Sequence, residues 1–348
     1  MYLATVLDLK YINYLYYILL FSNILNIMLE KKLRVYTKVW KKISESKNIA
    51  LVSHKNPDWD TLWSSTWLYE AIKSNFFFKK IDLICIDDIS EKLLFIPNSN
   101  NFSKNFNYHK YDLIIFSDIS NIWQTWFDKI YPSYLSDKRF NTINIDHHIT
   151  NTIFARQNIV ISWYASTTLI IYEMLKLLNV KINSKCATSL LTWILTDTWW
   201  FKHSNTDSLV FKYWSELLKL WWDLNLIINS FFKKNKLDVL RLWWKIIWKA
   251  FINENNILYT YINQSDLDSY DLNYDDLSWV IDYLNMIEWI KYSVTLTQKW
   301  EYIKWSLRTL RNDIDLSKLA WKYGWWWHKK ASGFTKEWVI NEKKILKF

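Results

Sequence analysis

Four separated stretches carry residues whose types and spacing suit a metal site. In LVSHKNPDWDTLWSS, residues 51–65, a short apolar run ends in His54, and two carboxylates follow at alternate positions, Asp58 and Asp60. DLIIFSD ends in Asp118, NTINIDHH ends in Asp146, His147 and His148, and LLTWILTDTWWF places Asp197 behind an apolar run. A lone Asp at a strand end is ordinarily a turn or helix cap, and adjacent histidines are as readily a core or surface pair. Four such stretches in one topological position make that joint reading poor. Carboxylates with a minority of imidazoles form a hard, oxygen-rich donor set, which suits Mn²⁺ or Mg²⁺ better than copper or structural zinc.

The elements that must position these side chains follow from periodicity. From Ile49 onward short apolar runs alternate with helical patterns, which predicts a parallel sheet covered on both faces. Strands are expected over 48–53, 81–86, 112–117 and 141–145, and helices over 62–73, 165–178 and 185–195. Ligands of such sheets collect beyond the carboxyl ends of the strands, where the His and Asp residues fall. Further on, 207–220 reads as a helix and 236–251 as a connection. Strands over 256–262, 290–297 and 302–307, with helices over 278–286 and 315–323, predict a second, smaller sheet. The expected fold class is therefore α/β: a parallel-sheet domain with helices on both faces and a smaller α/β C-terminal domain, with a cleft between them. The expected divisions are an extension over 1–27, a first domain over 28–225, a helical connector over 226–250 and a second domain over 251–348.

Composition narrows the class. A chain of 348 residues with 51% hydrophobic content and three Pro is no disordered polymer. Cys85 and Cys186 are the whole cysteine complement, which excludes a disulfide framework and a Cys-ligated zinc site and makes a reducing cytoplasm the expected location. The formal charge of +10 points toward a polyanionic partner, yet Lys is also common on the solvated faces of Lys/Asn/Ile-rich chains, so charge alone does not decide. In residues 1–27 the apolar run over 11–28 sits at the short limit for a membrane span and is interrupted by Asn13, Ser22, Asn23 and Asn26. It lacks a small-residue cleavage site, so a signal peptide is not expected. The extension reads as translation upstream of the true start, as a weak anchor or as an extra packed helix; an amphipathic first helix is expected from Met28.

The composition holds one anomaly, 25 Trp against 2 Gly. Glycine averages about 7% of a chain, or about 24 residues here, close to the two totals combined. The Trp fall where glycine chemistry is expected: at Trp199–Trp200, Trp221–Trp222 and Trp325–Trp327, between two carboxylates as Trp59, and at an expected helix end as Trp289. Positive-φ turns and close backbone approaches favour Gly and penalise a Cβ. The reading that follows is an alternative genetic code: most Trp are UGA codons decoded as glycine in the source organism. The other reading is a chain that is Trp-rich in fact.

HKNPDWDTLWSS, the FSD strand end, IDHH and TDT resemble, in order and spacing, the four motifs of the DHH phosphoesterase family, in its two-domain oligoribonuclease/pAp phosphatase branch. KWSLRT and KYGWWWHKKASGF are similar to the DHH-associated C-terminal domain, whose hallmark is a GGGH loop. Gly for Trp restores PDGD at 57–60 and GGGGH at 324–328. The resemblance spans roughly residues 28–345 and implies two Mn²⁺, with Mg²⁺ or Co²⁺ as alternatives. One ion would be held by His54, Asp58 and Asp118, the other by Asp60, Asp118, His147 and Asp197, with Asp118 bridging. Asp146 would orient the His pair and His148 would lie beside the scissile phosphate, while a water between the ions attacks phosphorus in line. Arg308, Gly324, His328, Lys202 and His203 would bind substrate phosphates. Arg308 has a planar fork suited to that, with an exposed salt bridge as the lesser alternative, and His328 has a plain loop histidine as its lesser alternative. Lys329 and Lys330 are expected to be solvated.

The implied partners are short oligoribonucleotides or small nucleotides such as pAp, hydrolysed in the cytoplasm to 5′-mononucleotides. No stable protein partner or membrane is implied, and a homodimer is admitted. Three alternatives stay open. A soluble cyclic di-AMP or pApA phosphodiesterase uses the same residues. An inorganic pyrophosphatase is opposed by KWSLRT and the loop. A non-catalytic nucleotide-binding protein is opposed by the full set of ligand positions.

Overall fold

The computed structural model of the chain describes residues 2–94, 96–130, 141–181, 191, 194–195, 198, 201, 206–219, 237–270, 272, 277–299, 301–323 and 329–337. The chain divides into two compact units, residues 1–222 and 223–348.

In the first unit, α1 (Tyr2–Glu45) is one continuous helix. The sequence reading expected a first helix from Met28, but no Pro or Gly interrupts the preceding stretch and the helix runs through. Tyr36, Val39 and Ile43 are buried, at the spacing of one helical face, whereas Leu20, Ile24, Ile27 and Met28 are exposed. Among the described residues no helix is long and apolar enough to cross a membrane.

Six strands form a fully parallel sheet: β1 (Asn48–Val52), β2 (Lys80–Ile84), β3 (Phe102–Ser103), β4 (Leu113–Ser117), β5 (Asn141–Asp146) and β6 (Gln157–Val160), in the order β3-β2-β1-β4-β5-β6. All five residues of β4 are buried, as are the last four of β1. Continuous apolar runs of this kind are what a sheet covered on both faces requires. The strand order reverses between β1 and β4, a switch point that opens a crevice beyond their carboxyl ends. Two helices start at that edge. In α2 (Trp59–Asn75) Asp58 is the N-cap and accepts from the Thr61 N–H at 3.1 Å. In α4 (Thr167–Leu177) Ser166 caps by accepting from the Leu169 N–H at 3.1 Å. The short α3 (Phe127–Ile130) and α5 (Ser208–Leu218) are further helices of this unit, and residues 191 and 194–195, within the helix expected over 185–195, are also helical. The sequence missed β3 and β6, because FS and QNIV offer too few apolar residues to register as runs.

The second unit holds α6 (Leu237–Trp248) and a sheet of β7 (Phe251–Ile252), β8 (Ile257–Ile262), β9 (Tyr292–Lys299), β10 (Tyr302–Arg308) and β11 (Ala331–Glu337), ordered β11-β10-β9-β8-β7. The short helices are α7 (Gln264–Asp268), α8 (Ser278–Leu284) and α9 (Ser317–Trp321). Leu242, Ile246, Leu258, Ile262 and Val280 form one core cluster, and Val294, Leu296, Ile303, Leu316 and Phe334 another. β11 was not expected from ASGFTKE, whose glycine reads as loop. Gly333 is there because a Cβ at that position would lie 2.5 Å from the Trp305 carbonyl oxygen across the ladder. Lys330 corrects an expectation: it is half-buried, and its ammonium donates to the Leu310 and Arg311 carbonyls and to Asn312 Oδ1. The cluster Trp325–Trp327 lies outside the described residues. Trp126 (φ 64°) and Trp289 (φ 72°), however, occupy the left-handed region that favours glycine. Trp67 in α2 is 1% exposed, and its indole N–H has no acceptor.

Candidate metal centre

The site is assembled from the ends of three strands and the starts of two helices, all in the first unit. His54 follows β1. Its Nδ1 lies 2.8 Å from the Lys55 carbonyl oxygen, which can only accept, so Nδ1 carries the proton and Nε2 offers a lone pair. Nε2 is 3.6 Å from Asp58 Oδ1 and 3.9 Å from Asp118 Oδ2. Burial pulls the His54 pKa down, but the Asp58 carboxylate overrides it and leaves it raised. His147, after β5, is built the same way: Nδ1 faces the Tyr164 carbonyl at 3.2 Å, and Nε2 lies 3.8 Å from Asp60 Oδ2 and 3.7 Å from Asp118 Oδ1.

Asp118 directly follows β4, is 2% exposed and adopts φ 62°. A non-glycine residue in that region is strained, and such strain gathers at functional sites. Its N–H is held by the Ile145 carbonyl at 2.9 Å, and Oδ1 accepts from Thr167 Oγ1 at 3.0 Å. The two carboxylate oxygens thus face different imidazoles, Oδ2 toward His54 and Oδ1 toward His147.

Asp60, in the first turn of α2, is 3% exposed and meets the start of α4. Oδ2 accepts from the Thr167 N–H at 2.9 Å, and Oδ1 accepts from the Thr168 N–H at 3.1 Å and its hydroxyl at 2.6 Å. Burial dominates nevertheless and, with the Asp58 charge and against the Thr168 bond, pushes its pKa up to about 6. The wholly buried Asp146 accepts from His148 Nδ1–H at 2.7 Å and from Asn151 Nδ2–H at 2.5 Å. Against burial, the His148 bond keeps the Asp146 carboxyl low and raises His148. Burial and the neighbouring His148 push His147 down to about 4. The adjacent imidazoles are therefore driven apart, one neutral as a ligand must be and the other favouring a charge.

These donors fit divalent ions. Two atoms each about 2.1 Å from one ion lie roughly 3–4 Å apart, the range found from His54 Nε2 to Asp58 and Asp118 and from His147 Nε2 to Asp60 and Asp118; ligand atoms of His54, Asp58 and Asp118, and of Asp118, His147 and His148, all lie within 4.8 Å of one another. His148 Nδ1 is 3.6 Å from Asp118 Oδ1 but is committed to Asp146, so it is not free to ligate.

The structure thus brings together His54, Asp58, Asp60, Asp118, Asp146, His147 and His148. Asp197, Lys202, His203, Gly324 and His328 lie outside the described residues. Arg308, at the end of β10 in the second unit, is half-buried, with Nε 3.4 Å from Asp282 Oδ1 and NH1 donating to the Leu307 carbonyl at 3.0 Å. It thus makes the ion pair weighed above as its alternative role.

Sequence reasoning missed Thr167, Thr168 and Asn151. The Ser-Thr-Thr run before an apolar helical stretch is a cap signal, but nothing in it points 108 residues back to Asp60. It also missed Glu173. This α4 carboxylate accepts from Tyr164 OH at 2.6 Å, Tyr36 OH at 2.7 Å, Lys32 Nζ at 3.1 Å and Tyr213 OH at 3.4 Å, which ties α1 to the residue whose carbonyl orients His147.

Residues 48–196 match the DHH family, N-terminal domain. The chain is 26% identical over 307 residues, 88% of each protein, to a protein of Thermus thermophilus described as a bifunctional oligoribonuclease and PAP phosphatase, NrnA. Its fold is similar to that of an exopolyphosphatase-related protein from Bacteroides fragilis, with a TM-score of 0.80, 21% identity, and 90% and 94% of the two chains covered.

Proposed function

We propose, from the premise that residues 48–196 are a DHH-family N-terminal domain, that this chain is a metal-dependent phosphoesterase of short oligoribonucleotides that also takes pAp. The similarity to NrnA supports the substrate class. The observation that carries the reading is Asp118, whose two oxygens are divided between His54 and His147, as a carboxylate shared by two ions requires. His54, Asp58 and Asp118 would hold one ion, and Asp60, Asp118, His147 and Asp197 the other. Such a pair supplies Lewis acidity toward water and toward the phosphoryl oxygens. The chain's own residues do the rest. The Lys55 and Tyr164 carbonyls fix the imidazole tautomers. Asp146 holds His148 protonated at Nδ1, so that Nε2–H can donate to the phosphate oxygen on which charge grows. Arg308, released from Asp282, would grip a second phosphate, with Gly324, His328, Lys202 and His203 as further contacts. Mn²⁺ suits the donor set, with Mg²⁺ or Co²⁺ as substitutes, and a cytoplasmic location agrees with the nucleotide substrates.

The test is turnover of dinucleotides, pAp and cyclic di-AMP with Mn²⁺, by native and Asp118→Ala protein. Dinucleotides and pAp should be hydrolysed and Asp118→Ala should be inert. Activity unchanged in that variant refutes the shared carboxylate, and fast cyclic di-AMP turnover with idle dinucleotides favours the alternative phosphodiesterase.

We further infer that most Trp are glycines of the native protein. Trp126 and Trp289 at positive φ support this, and glycines over 325–327 would let backbone N–H groups meet an anion before His328. Mass spectrometry of native protein with Trp at position 59 would end the idea.

A further inference from the structure

At the edge of the parallel sheet opposite the metal centre, where β1 and β2 begin, a cavity of about 470 Å³ is lined by Lys73, Lys79, Lys80, Lys110, Asp82 and Tyr111. Asn48 at this edge and His54 at the other are six strand steps apart, about 20 Å, so the cavity is separate from the site above. Among the described residues none of the four lysines forms an ion pair with a carboxylate. Lys79 Nζ donates to the Ser44 and Ser46 carbonyls and Lys73 Nζ to the Lys79 carbonyl at 2.7 Å. These bonds fix the ammonium groups without neutralising them. Two acids are near. Asp82 Oδ2 accepts from Tyr111 OH at 2.8 Å, and Asp112 is held by the Lys47 and Asn48 N–H groups. Lys79 is itself buried, so Lys73, Lys80 and Lys110 are the cations left to outweigh the two committed carboxylates.

Beside the cavity the chain exposes two adjacent phenyl rings, Phe77 at 84% and Phe78 at 67%. They meet edge to face at 5.7 Å, and Phe78 flanks the Lys79 ammonium at 5.3 Å. Exposed rings two and three residues before the exposed Lys80, with the exposed Lys110 on the same cavity, match the two demands of a single nucleic-acid strand, which offers base faces for stacking and phosphates for charge. A mononucleotide would fill the cavity and leave the rings outside it unused.

We propose that Lys80, Lys110, Phe77 and Phe78 form a second site that binds single-stranded nucleic acid by stacking and phosphate contact, remote from the metal centre. Such a site would hold strands longer than the substrate near the protein. It does not rest on the hydrolytic reading, because it is tested by binding. The probe is a fluorescein-labelled phosphorothioate oligoribonucleotide of about 12 nucleotides, titrated by polarisation against the full chain with Mn²⁺ over a range of salt. Lys80→Gln with Lys110→Gln should weaken binding about tenfold and make the salt slope shallower by about 1 to 2. Phe77→Ala with Phe78→Ala should weaken it about tenfold at unchanged slope. Both should keep the thermal midpoint and dinucleotide turnover of the parent. Affinities equal to the parent's in both variants overturn the proposal, as does a parent that does not bind the probe. Loss of binding to phosphatidylglycerol vesicles in these variants, with oligonucleotide binding intact, would make the patch a lipid contact and overturn it equally.

Discussion

Replacing Thr168 by Val removes one hydroxyl from the buried donors to Asp60 while keeping shape and the start of α4. Two donors to Asp60 remain, the Thr167 and Thr168 N–H groups at 2.9 and 3.1 Å. The one lost is the shortest, at 2.6 Å. A hydrogen bond to a charged group is worth about 1.5–3 kcal/mol, and one pKa unit is about 1.4 kcal/mol, so the Asp60 pKa should climb by about one unit from about 6. Only the ionised carboxylate can ligate, so a proton competes with metal below that pKa. At pH 8 Asp60 is ionised in both proteins, and the variant should lose about tenfold in metal affinity through poorer orientation alone. At pH 6 the raised pKa adds roughly a further fivefold. The sign is fixed: the gap between the proteins must widen as pH falls. Calorimetric titration of the metal-free protein with Mn²⁺ at the two pH values measures it. Equal affinities at both refute the role of Thr168, and a gap that is constant with pH refutes the protonation step.

Other outcomes follow from the same geometry. Glu173→Gln weakens the anchor of Tyr164 and should lower metal affinity about tenfold without touching a ligand; an unchanged titration would show that the Tyr164 carbonyl is held by other means. Trp289→Gly relieves a left-handed φ of 72° at an 82% exposed side chain and should stabilise by about 1 kcal/mol, about 3–5 °C in thermal midpoint. Trp289→Ala keeps the Cβ and should not match it. Asp266 accepts from Lys249 and pairs with Lys245 at 2.6 Å, and against burial these lysines hold its pKa low. Its contribution is present above the unfolded carboxylate pKa and is lost as pH falls through the folded one. Asp266→Asn should therefore cost about 2 kcal/mol at neutral pH and progressively less as pH falls below the ordinary carboxylate range; a loss that does not shrink with acid would exclude the ion pairs as its source.

The strand ends were legible because IALVSH and LIIFSD are apolar runs stopped by a His or Asp, and NTINID runs straight into the adjacent His147 and His148. The supports of the site were not. The carbonyls that set the tautomers of His54 and His147 belong to Lys55 and Tyr164, and a backbone oxygen carries no signal in its residue type. Asp60 meets Thr168 only through the packing of α2 on α4, a contact of long sequence separation. β11 escaped notice because its glycine, placed there by the nearness of β10, looks like loop punctuation. The extent of α1 was left open among three readings of 1–27, an extra helix being one of them, because its apolar positions do not keep to one face before Met28 and periodicity alone does not mark a helix that nothing in the chain breaks.

The crowding of Asp58, Asp60, Asp118 and Asp146 at one edge has a thermodynamic price when no cation is there to share. With Asp60 pushed up to about 6, the metal-free protein loses stability as pH rises from the ordinary carboxylate range through about 6, and at neutral pH the loss is complete. A cation that binds only the folded chain restores stability by mass action, about 2.7 kcal/mol at a hundred times its dissociation constant. Divalent supply would then govern how much of the chain survives in the cell as well as how fast it works, and starvation for the ion would read out first as shortened lifetime of the protein.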